Sequence, residues 1–189
     1  MTNHCSLRLA YGHKGSSLIE VLVTFLVLGI GLLGLLSLHA RLQSSEMEAY
    51  QRSQALLVLD EMANRIANNA ALAATYVTNT TGIGTGTTCS AGATTQTRDA
   101  NAWCEALQGA AETLGTDNVG AMLGARGCIE NLSNGTYMIT VAWQGLTPLS
   151  APPASVACGK NLYDGASGTA CTNDICRRAI TTIVKVASL

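Results

Sequence analysis

The sequence predicts an α+β protein in which one long N-terminal helix is followed by a small antiparallel sheet. Three observations predict it: an uncharged apolar run at Val21–Leu38, an amphipathic continuation of that run, and alternating strands in the C-terminal half. The 189 residues carry a formal net charge of -1. The chain therefore lacks the surplus of basic residues that would indicate nucleic-acid binding. After subtraction of a membrane helix, this length allows one modest globular domain.

The apolar run is long enough to cross a membrane. Its eighteen residues contain only two polar side chains and no charge, and as a helix they span roughly 27 Å, about one hydrocarbon core. Glu20 lies at the start of the run, where an unpaired carboxylate in lipid costs about 3 kcal/mol. Arg8 and Lys14 precede the run, which predicts a cytoplasmic N-terminal side and an exported remainder.

The residues that precede the run match a processing signal. Gly15 is followed by Ser-Ser-Leu-Ile-Glu-Val-Leu-Val, with the acid in the fifth position after the glycine. This pattern resembles the class III signal of type IV pilins and type II secretion pseudopilins. The resemblance implies that a prepilin peptidase cuts after Gly15 and methylates the new amino terminus at Ser16, although the family usually has Phe or Met there. It also implies that Glu20 meets the amino terminus of a neighbouring subunit.

Simple electrostatics agrees with this assignment. A cut after Gly15 creates a cation at Ser16, four residues from Glu20 and therefore on the same helix face. Such a pair sets register in a low-dielectric bundle even where its net stabilisation is small. The alternative is an ordinary membrane helix in which Glu20 reaches the headgroups from the helix end.

The resemblance is strong over residues 12–66 and only architectural beyond. It implies the pilin fold, with a leader at 1–15, a transmembrane half-helix at 16–38, an amphipathic half-helix at 39–73 and a globular head at 74–189. Its implied partners are other minor pilins and the major pilin through the helix, the prepilin peptidase and a pilus-tip adhesin. The implied location is the inner membrane, with a cytoplasmic leader and a periplasmic head, and then the pilus.

The helix is expected to continue from Ser16 to about Ala73, because no proline precedes Pro148. Acid-before-base pairs at i,i+4 support it at Glu48 with Arg52 and at Glu61 with Arg65. Apolar residues recur at helical spacing beyond the membrane run and predict one packing face: Leu42, Ala49, Leu56, Leu59, Ala63, Ile66 and Ala70.

The segment Gly29–Gly34 matches the Gly-x-Gly-x-x-Gly dinucleotide fingerprint in its letters only. That fingerprint requires a preceding strand and a later acid, whereas these glycines lie inside an apolar helix. Two interpretations remain: the glycines let neighbouring helices approach closely, or they are merely tolerated in lipid.

The first half of the head is predicted to be mainly loop. Residues 78–97 form a Thr/Gly-rich, nearly uncharged tract that is typical of surface loops. Asp99 is a candidate cap for a helix at 100–114, in which Trp103, Leu107 and Ala110 share a face.

The second half of the head contains the strand signals. Residues 128–133, Asn134-Gly135 and residues 136–144 predict a β-hairpin with a two-residue type I′ turn. A final strand is expected at 179–186, after a long proline-containing loop. Alternation places Tyr137, Ile139, Val141 and Trp143 on one face of the second hairpin strand, a candidate to cover the amphipathic helix, and Met138, Thr140 and Gln144 on the other. In the final strand, one side is expected to carry Ile180, Thr182, Val184 and Val186.

Six of the seven cysteines follow the leader, which contains Cys5. An even number on the exported side indicates disulfides, with fifteen connectivities left open. A metal site is disfavoured because no Cys-x-x-Cys occurs and every histidine precedes the cysteine-bearing region, and no cofactor is expected. The disulfide candidates are Cys89, Cys104, Cys128, Cys158, Cys171 and Cys176.

The sequence favours an assembly protein over an enzyme. No histidine follows His39, so the head cannot hold a Ser-His or Cys-His pair, and its scattered acids are expected to be mostly solvated. The leading hypothesis is a minor pilin that helps to prime or cap a type IV pilus. A minor pseudopilin of type II secretion and a membrane-anchored adhesive binding module are the alternatives.

Overall fold

The computed structural model describes residues 17–110, 112–115, 117–120 and 122–187. Its fold is α+β. The helices are α1 (Leu18–Asn68), a 3-10 helix (Ala70–Tyr76) and α2 (Thr95–Leu107). The strands are β1 (Ile83–Gly84), β2 (Thr113–Leu114), β3 (Asp117–Asn118), β4 (Arg126–Asn131), β5 (Thr136–Gln144) and β6 (Arg177–Lys185). Backbone contacts divide the chain into two units, Met1–Gln43 and Ser44–Leu189, which are described separately below.

In the first unit, the described residues are the start of α1. Ser17 precedes the helix, and its carbonyl accepts hydrogen bonds from the backbone amides of Glu20 and Val21. The helix is long and apolar enough to cross a membrane, and its most apolar part is not buried. The expected long apolar helix is therefore present from Leu18 onward.

In the second unit, α1 buries one face against the head, and that face matches the predicted one only in part. Leu59 and Ile66 are buried and Ala63 and Ala70 are half-buried against the core, as expected, whereas Ala49 and Leu56 are exposed, as is Leu42 in the first unit. The face actually buried consists of Gln51, Ala55, Val58, Leu59, Met62 and Ile66. The α-helix ends at Asn68 instead of about Ala73, and the 3-10 helix continues the chain to Tyr76.

Helix α2 begins and ends earlier than the sequence suggests. Its cap is Thr94, whose hydroxyl accepts a hydrogen bond from the Thr97 amide at 3.2 Å, so the predicted Asp99 cap is wrong. Because the helix ends at Leu107, Ala110 is exposed instead of sharing its face. Trp103 and Leu107 are fully buried, and the Trp103 indole donates to the Val58 carbonyl of α1 at 2.9 Å.

The main sheet has four antiparallel strands in the order β1, β4, β5, β6, and β2 and β3 form a separate pair. The hairpin turn contains the predicted Asn134-Gly135, both at positive φ, with the Thr136 amide bonded to the Ser133 carbonyl. A two-residue turn would pair Leu132 with Tyr137, but Asn131 takes that place, so the register is shifted by one residue from the prediction. Ser133 thus belongs to the turn and not to the strand pairing, and it also has a positive φ.

Both faces of the sheet are covered. The predicted apolar face of β5, from Tyr137 to Trp143, packs in one core with α1 and α2. The opposite face carries a second, smaller core of Cys128, Ala142, Cys158 and Tyr163. Residues 145–176, which contain no helix or strand, supply two members of that core and explain why the polar Thr140 is fully buried on this face.

The Thr/Gly tract is more ordered than a surface loop because it contributes β1 to the sheet edge. Ile83 and Gly84 pair with Gly127 and Arg126 of β4. Gly84 adopts a φ of 116°, and a Cβ there would lie 2.5 Å from the Ala125 carbonyl oxygen. Glycine is therefore required where β1 approaches its neighbour.

Candidate assembly helix and head surface

Of the residues in the predicted processing signal, Glu20 is described, and Gly15 and Ser16 lie outside the described residues. Glu20 is in the first turn of α1, is exposed, and donates its backbone amide to the Ser17 carbonyl at 2.9 Å. An acid at this position interacts favourably with the positive end of the helix dipole. In the sequence, Ser17, Leu18 and Ile19 lie between the predicted cleavage site and Glu20.

The side chains that follow Glu20 form an apolar helix surface. Among the large apolar residues of this surface, the exposed fractions range from 42% at Val21 to 70% at Phe25. A contiguous apolar surface of this kind indicates contact with lipid or with other apolar helices. The geometry therefore supplies a membrane-compatible helix with one acid at its beginning.

The three glycines of this helix are not required by packing within the chain. Apart from the adjacent residues and the nearby backbone of α1 itself, a Cβ at Gly29, Gly31 or Gly34 would meet no described atom of this chain within 4 Å. These positions instead leave low points on an exposed helix, where a second helix can approach closely.

Arg65 connects the end of α1 to α2. Its guanidinium binds Glu61 one turn earlier, as predicted, and also Asp99 at 2.6 Å. The hydrogen bond with Glu61 raises the pKa of Arg65, and the bond with Asp99 adds to this effect although partial burial opposes it. Asp99 also accepts a hydrogen bond from the Tyr76 hydroxyl at 2.6 Å. The residue expected to cap α2 therefore joins three elements.

Glu48 is directed toward the sheet and its loop. Its Oε1 accepts hydrogen bonds from the Leu146 amide at 3.1 Å and the Thr147 hydroxyl at 3.1 Å, and it lies 3.3 Å from Arg178 Nη2. The expected partner Arg52 is replaced by Arg178. Burial acts to raise the pKa of Glu48, but the Thr147 hydroxyl, the Arg178 charge and two backbone amides outweigh it and lower that pKa.

All six candidate cysteines form disulfides. The bridges are Cys89–Cys104, Cys128–Cys158 and Cys171–Cys176, with Cα separations between 5.3 and 5.7 Å. The first ties the Thr/Gly tract to α2, the second ties β4 to the loop at 145–176, and the third closes the end of that loop. Within the residues that are described, no group of three or more His, Cys, Asp or Glu side chains is arranged to hold a metal ion.

The buried ion pair between Arg177 and Asp174 was not predicted from the sequence. Arg177 and Asp174 have side chains only 2% and 6% exposed, and Arg177 Nη2 lies 3.3 Å from Asp174 Oδ2. Arg177 Nη1 also donates to the carbonyl oxygens of Val156 and Cys158 at 2.8 and 3.0 Å. Asp174 was expected to be solvated, but it anchors the loop instead. Apolar periodicity carries no signal for such a pair, because neither residue contributes to it.

Comparison with known proteins adds no identification: no family model, no curated protein and no solved structure matches this chain. A function must therefore be inferred from the residues of the chain itself. These offer an acid at the start of a membrane-compatible helix, and a disulfide-bonded head whose core includes the second half of that helix.

Proposed function

We propose that this chain is a minor pilin of a type IV pilus, most similar to the PilV type. One observation carries the proposal: a single helix presents Glu20 and an exposed apolar surface in its first half, and contributes the head core from its second half. The resemblance around Gly15 supplies the processing step. The run Glu61-Met62-Ala63-Asn64-Arg65-Ile66, which also resembles PilV proteins, supplies the narrower assignment.

In this proposal, assembly depends on a charge pair formed in a medium of low dielectric constant. Cleavage after Gly15 gives Ser16 a new ammonium group, which binds Glu20 of an adjacent subunit when the apolar helices bundle. Because an unpaired carboxylate in lipid is costly, the pair favours one stagger between subunits. The chain then primes or caps the pilus together with other minor pilins, and contacts the major pilin through the same helix.

The proposed destination also fits the disulfides. Such bridges form and persist in oxidising compartments such as the periplasm and the cell surface. The proposed location is therefore the inner membrane, with the head in the periplasm, followed by the pilus. A pilus-tip adhesin is a further proposed partner.

The first test is the intact mass of the protein purified from bacterial membranes. We expect the loss of residues 1–15, one added methyl group on Ser16 and six missing hydrogens for the three bridges. A full-length mass would refute pilin-type processing and would favour the membrane-anchored binding module.

The second test is Glu20→Ala, compared with Glu46→Ala. Glu46 is an exposed acid of the same helix that lies beyond the apolar run, so it is a matched control. Glu20→Ala should abolish or strongly reduce piliation while membrane insertion is retained, and Glu46→Ala should leave both intact. Normal piliation in the Glu20 variant would exclude the proposed role of this acid.

A deletion strain tests which machine the chain serves. A minor pilin predicts lost twitching motility with normal exoprotein secretion. The opposite result would assign the chain to a type II secretion pseudopilus and would reject the pilus proposal.

A further inference from the structure

A cleft lies where α1 crosses the ends of β5 and β6, entirely within the unit Ser44–Leu189. It has a volume of about 380 Å³. Helix α1 contributes Glu48, Ala49 and Arg52, β5 contributes Trp143, and β6 contributes residues 178–180. The volume is within the range of sites that hold small ligands or an anchoring side chain.

The charges in this cleft do not cancel. Arg178 is fully engaged, because its guanidinium donates to the carbonyl oxygens of Thr147 and Ile175 at 2.5 and 3.2 Å and contacts Glu48 at 3.3 Å. Glu48 is equally engaged with Arg178 and with the backbone of Leu146 and Thr147. These two opposite charges compensate each other and hold the wall of the cleft in place.

Arg52 is the charge that remains. Its side chain is exposed and lines the cleft, and in the described part of the chain it makes no hydrogen bond or ion pair. Trp143 is only 4% exposed and lines the cleft together with the apolar Ala49 and Ile180. The cleft therefore offers one available guanidinium next to apolar and aromatic surface.

From this arrangement we infer that the cleft binds an aspartate or glutamate side chain carried on an acidic segment of another protein. The guanidinium fork of Arg52 matches a carboxylate in two hydrogen bonds, and the apolar lining accommodates the methylene stem. A phosphate dianion is disfavoured because the cleft offers a single uncompensated guanidinium against its two charges, and the apolar lining suits a methylene stem better than further phosphate oxygens. Arginine and tryptophan at a pocket are also typical of the residues that dominate protein interfaces.

This inference does not rest on the proposed pilus function, because it uses only contacts within the unit Ser44–Leu189. It also differs from the assembly contact proposed above, which involves the apolar half of α1 and Glu20. Such a cleft could bind a partner protein either in a pilus subunit or in a membrane-anchored binding module.

The test uses the full chain in detergent micelles and the indole N–H resonances of its two tryptophans. Trp143 lines the cleft, whereas the Trp103 indole is buried and bonded to the Val58 carbonyl, so Trp103 is an internal reference. The probes are acetyl-Ala-Glu-Ala-amide, its Gln analogue and inorganic phosphate. We expect only the Glu peptide to shift the Trp143 resonance saturably.

Two variants remove one positive charge each. Arg52→Gln should weaken Glu-peptide binding by about threefold or more, because an exposed charge contact is lost. Arg98→Gln is the matched control, since Arg98 is also exposed but lies on α2 and does not line the cleft. It should leave binding unchanged, and Arg52→Lys should give an intermediate affinity because it retains the charge without the fork.

Each contrary result overturns the inference. Equal responses to the Glu and Gln peptides would mean that charge is not recognised. An unchanged affinity in Arg52→Gln would assign any binding to other residues. A response to phosphate alone would indicate a general anion site, and the absence of any saturable shift at Trp143 would mean that the cleft binds no acidic peptide.

Discussion

The buried pair Asp174–Arg177 makes a sharp prediction about the stability of the head. We consider the substitution Asp174→Asn, which removes the charge while keeping the shape of the side chain. Asp174 adopts a left-handed conformation with a φ of 62°, and asparagine tolerates this conformation as well as aspartate does. The Asn161 amide can still donate to the retained carbonyl oxygen, as it does to Asp174 Oδ1 at 2.8 Å. The amide nitrogen then replaces Oδ2 opposite Arg177 Nη2, so the variant removes both the negative charge and the acceptor of this contact.

The contacts of Arg177 decide the magnitude. Removing one partner of a buried ion pair costs about 3 to 5 kcal/mol, since an uncompensated charge remains. Here Nη1 keeps two carbonyl acceptors, while Nη2 loses its carboxylate and Nε has no partner among the described residues. The retained carbonyls and the 3.3 Å separation place the expected loss at the lower end, about 3 kcal/mol.

Urea unfolding of the full chain in micelles measures this loss, because both tryptophans are buried in the head. Glu61→Gln is the control, since its ion pair with Arg65 has side chains 44% and 29% exposed and should contribute less than about 1 kcal/mol. A loss in Asp174→Asn no larger than in Glu61→Gln would refute the reasoning. It would mean that the two carbonyl acceptors alone stabilise the buried guanidinium.

Three further predictions concern the same head. Replacing both cysteines of the Cys128–Cys158 bridge by alanine should cost about 3.5 kcal/mol in urea unfolding, against about 2 for Cys171–Cys176, because the first closes a longer loop. Since the folded pKa of Glu48 is lowered, its stabilisation is present above the ordinary value of 4.5 and lost as the pH falls below it. Glu48→Gln should therefore flatten the acid side of the stability profile, and Asp60→Asn, at an exposed site, should not. Tyr163→Phe should cost about 1 to 2 kcal/mol in the same unfolding assay, because the Tyr163 hydroxyl hydrogen-bonds the carbonyls of residues 124 and 142.

The elements with a simple period were predictable from the sequence. Alternation along 136–144 identified the buried face of β5, and Asn134-Gly135 identified the turn. The long apolar helix with its acid was equally evident, because length and absence of charge are local properties. In each case, the pattern is contained in consecutive residues.

The features that could not be predicted from the sequence depend on partners that are distant in the chain. Helix α1 has apolar residues on several faces, so tertiary packing, and not periodicity, determined that Ala55 is buried and Leu56 is 45% exposed. The same applies to Asp99, which joins Arg65 and Tyr76 instead of capping α2. The lining of the Arg52 cleft comes from three elements that are distant in sequence, so no local motif predicts it.

The loop at 145–176 explains how a segment without helix or strand can cover a sheet. Loops this long usually need their own packing, and this one is attached near its middle, at residues 156–158. Cys158 is bonded to β4, and Arg177 at the start of β6 holds the Val156 and Cys158 carbonyls. Residues 165–170, by contrast, are exposed. Substitutions there leave the attachments untouched, so this part of the loop can change its surface chemistry without weakening the sheet beneath it.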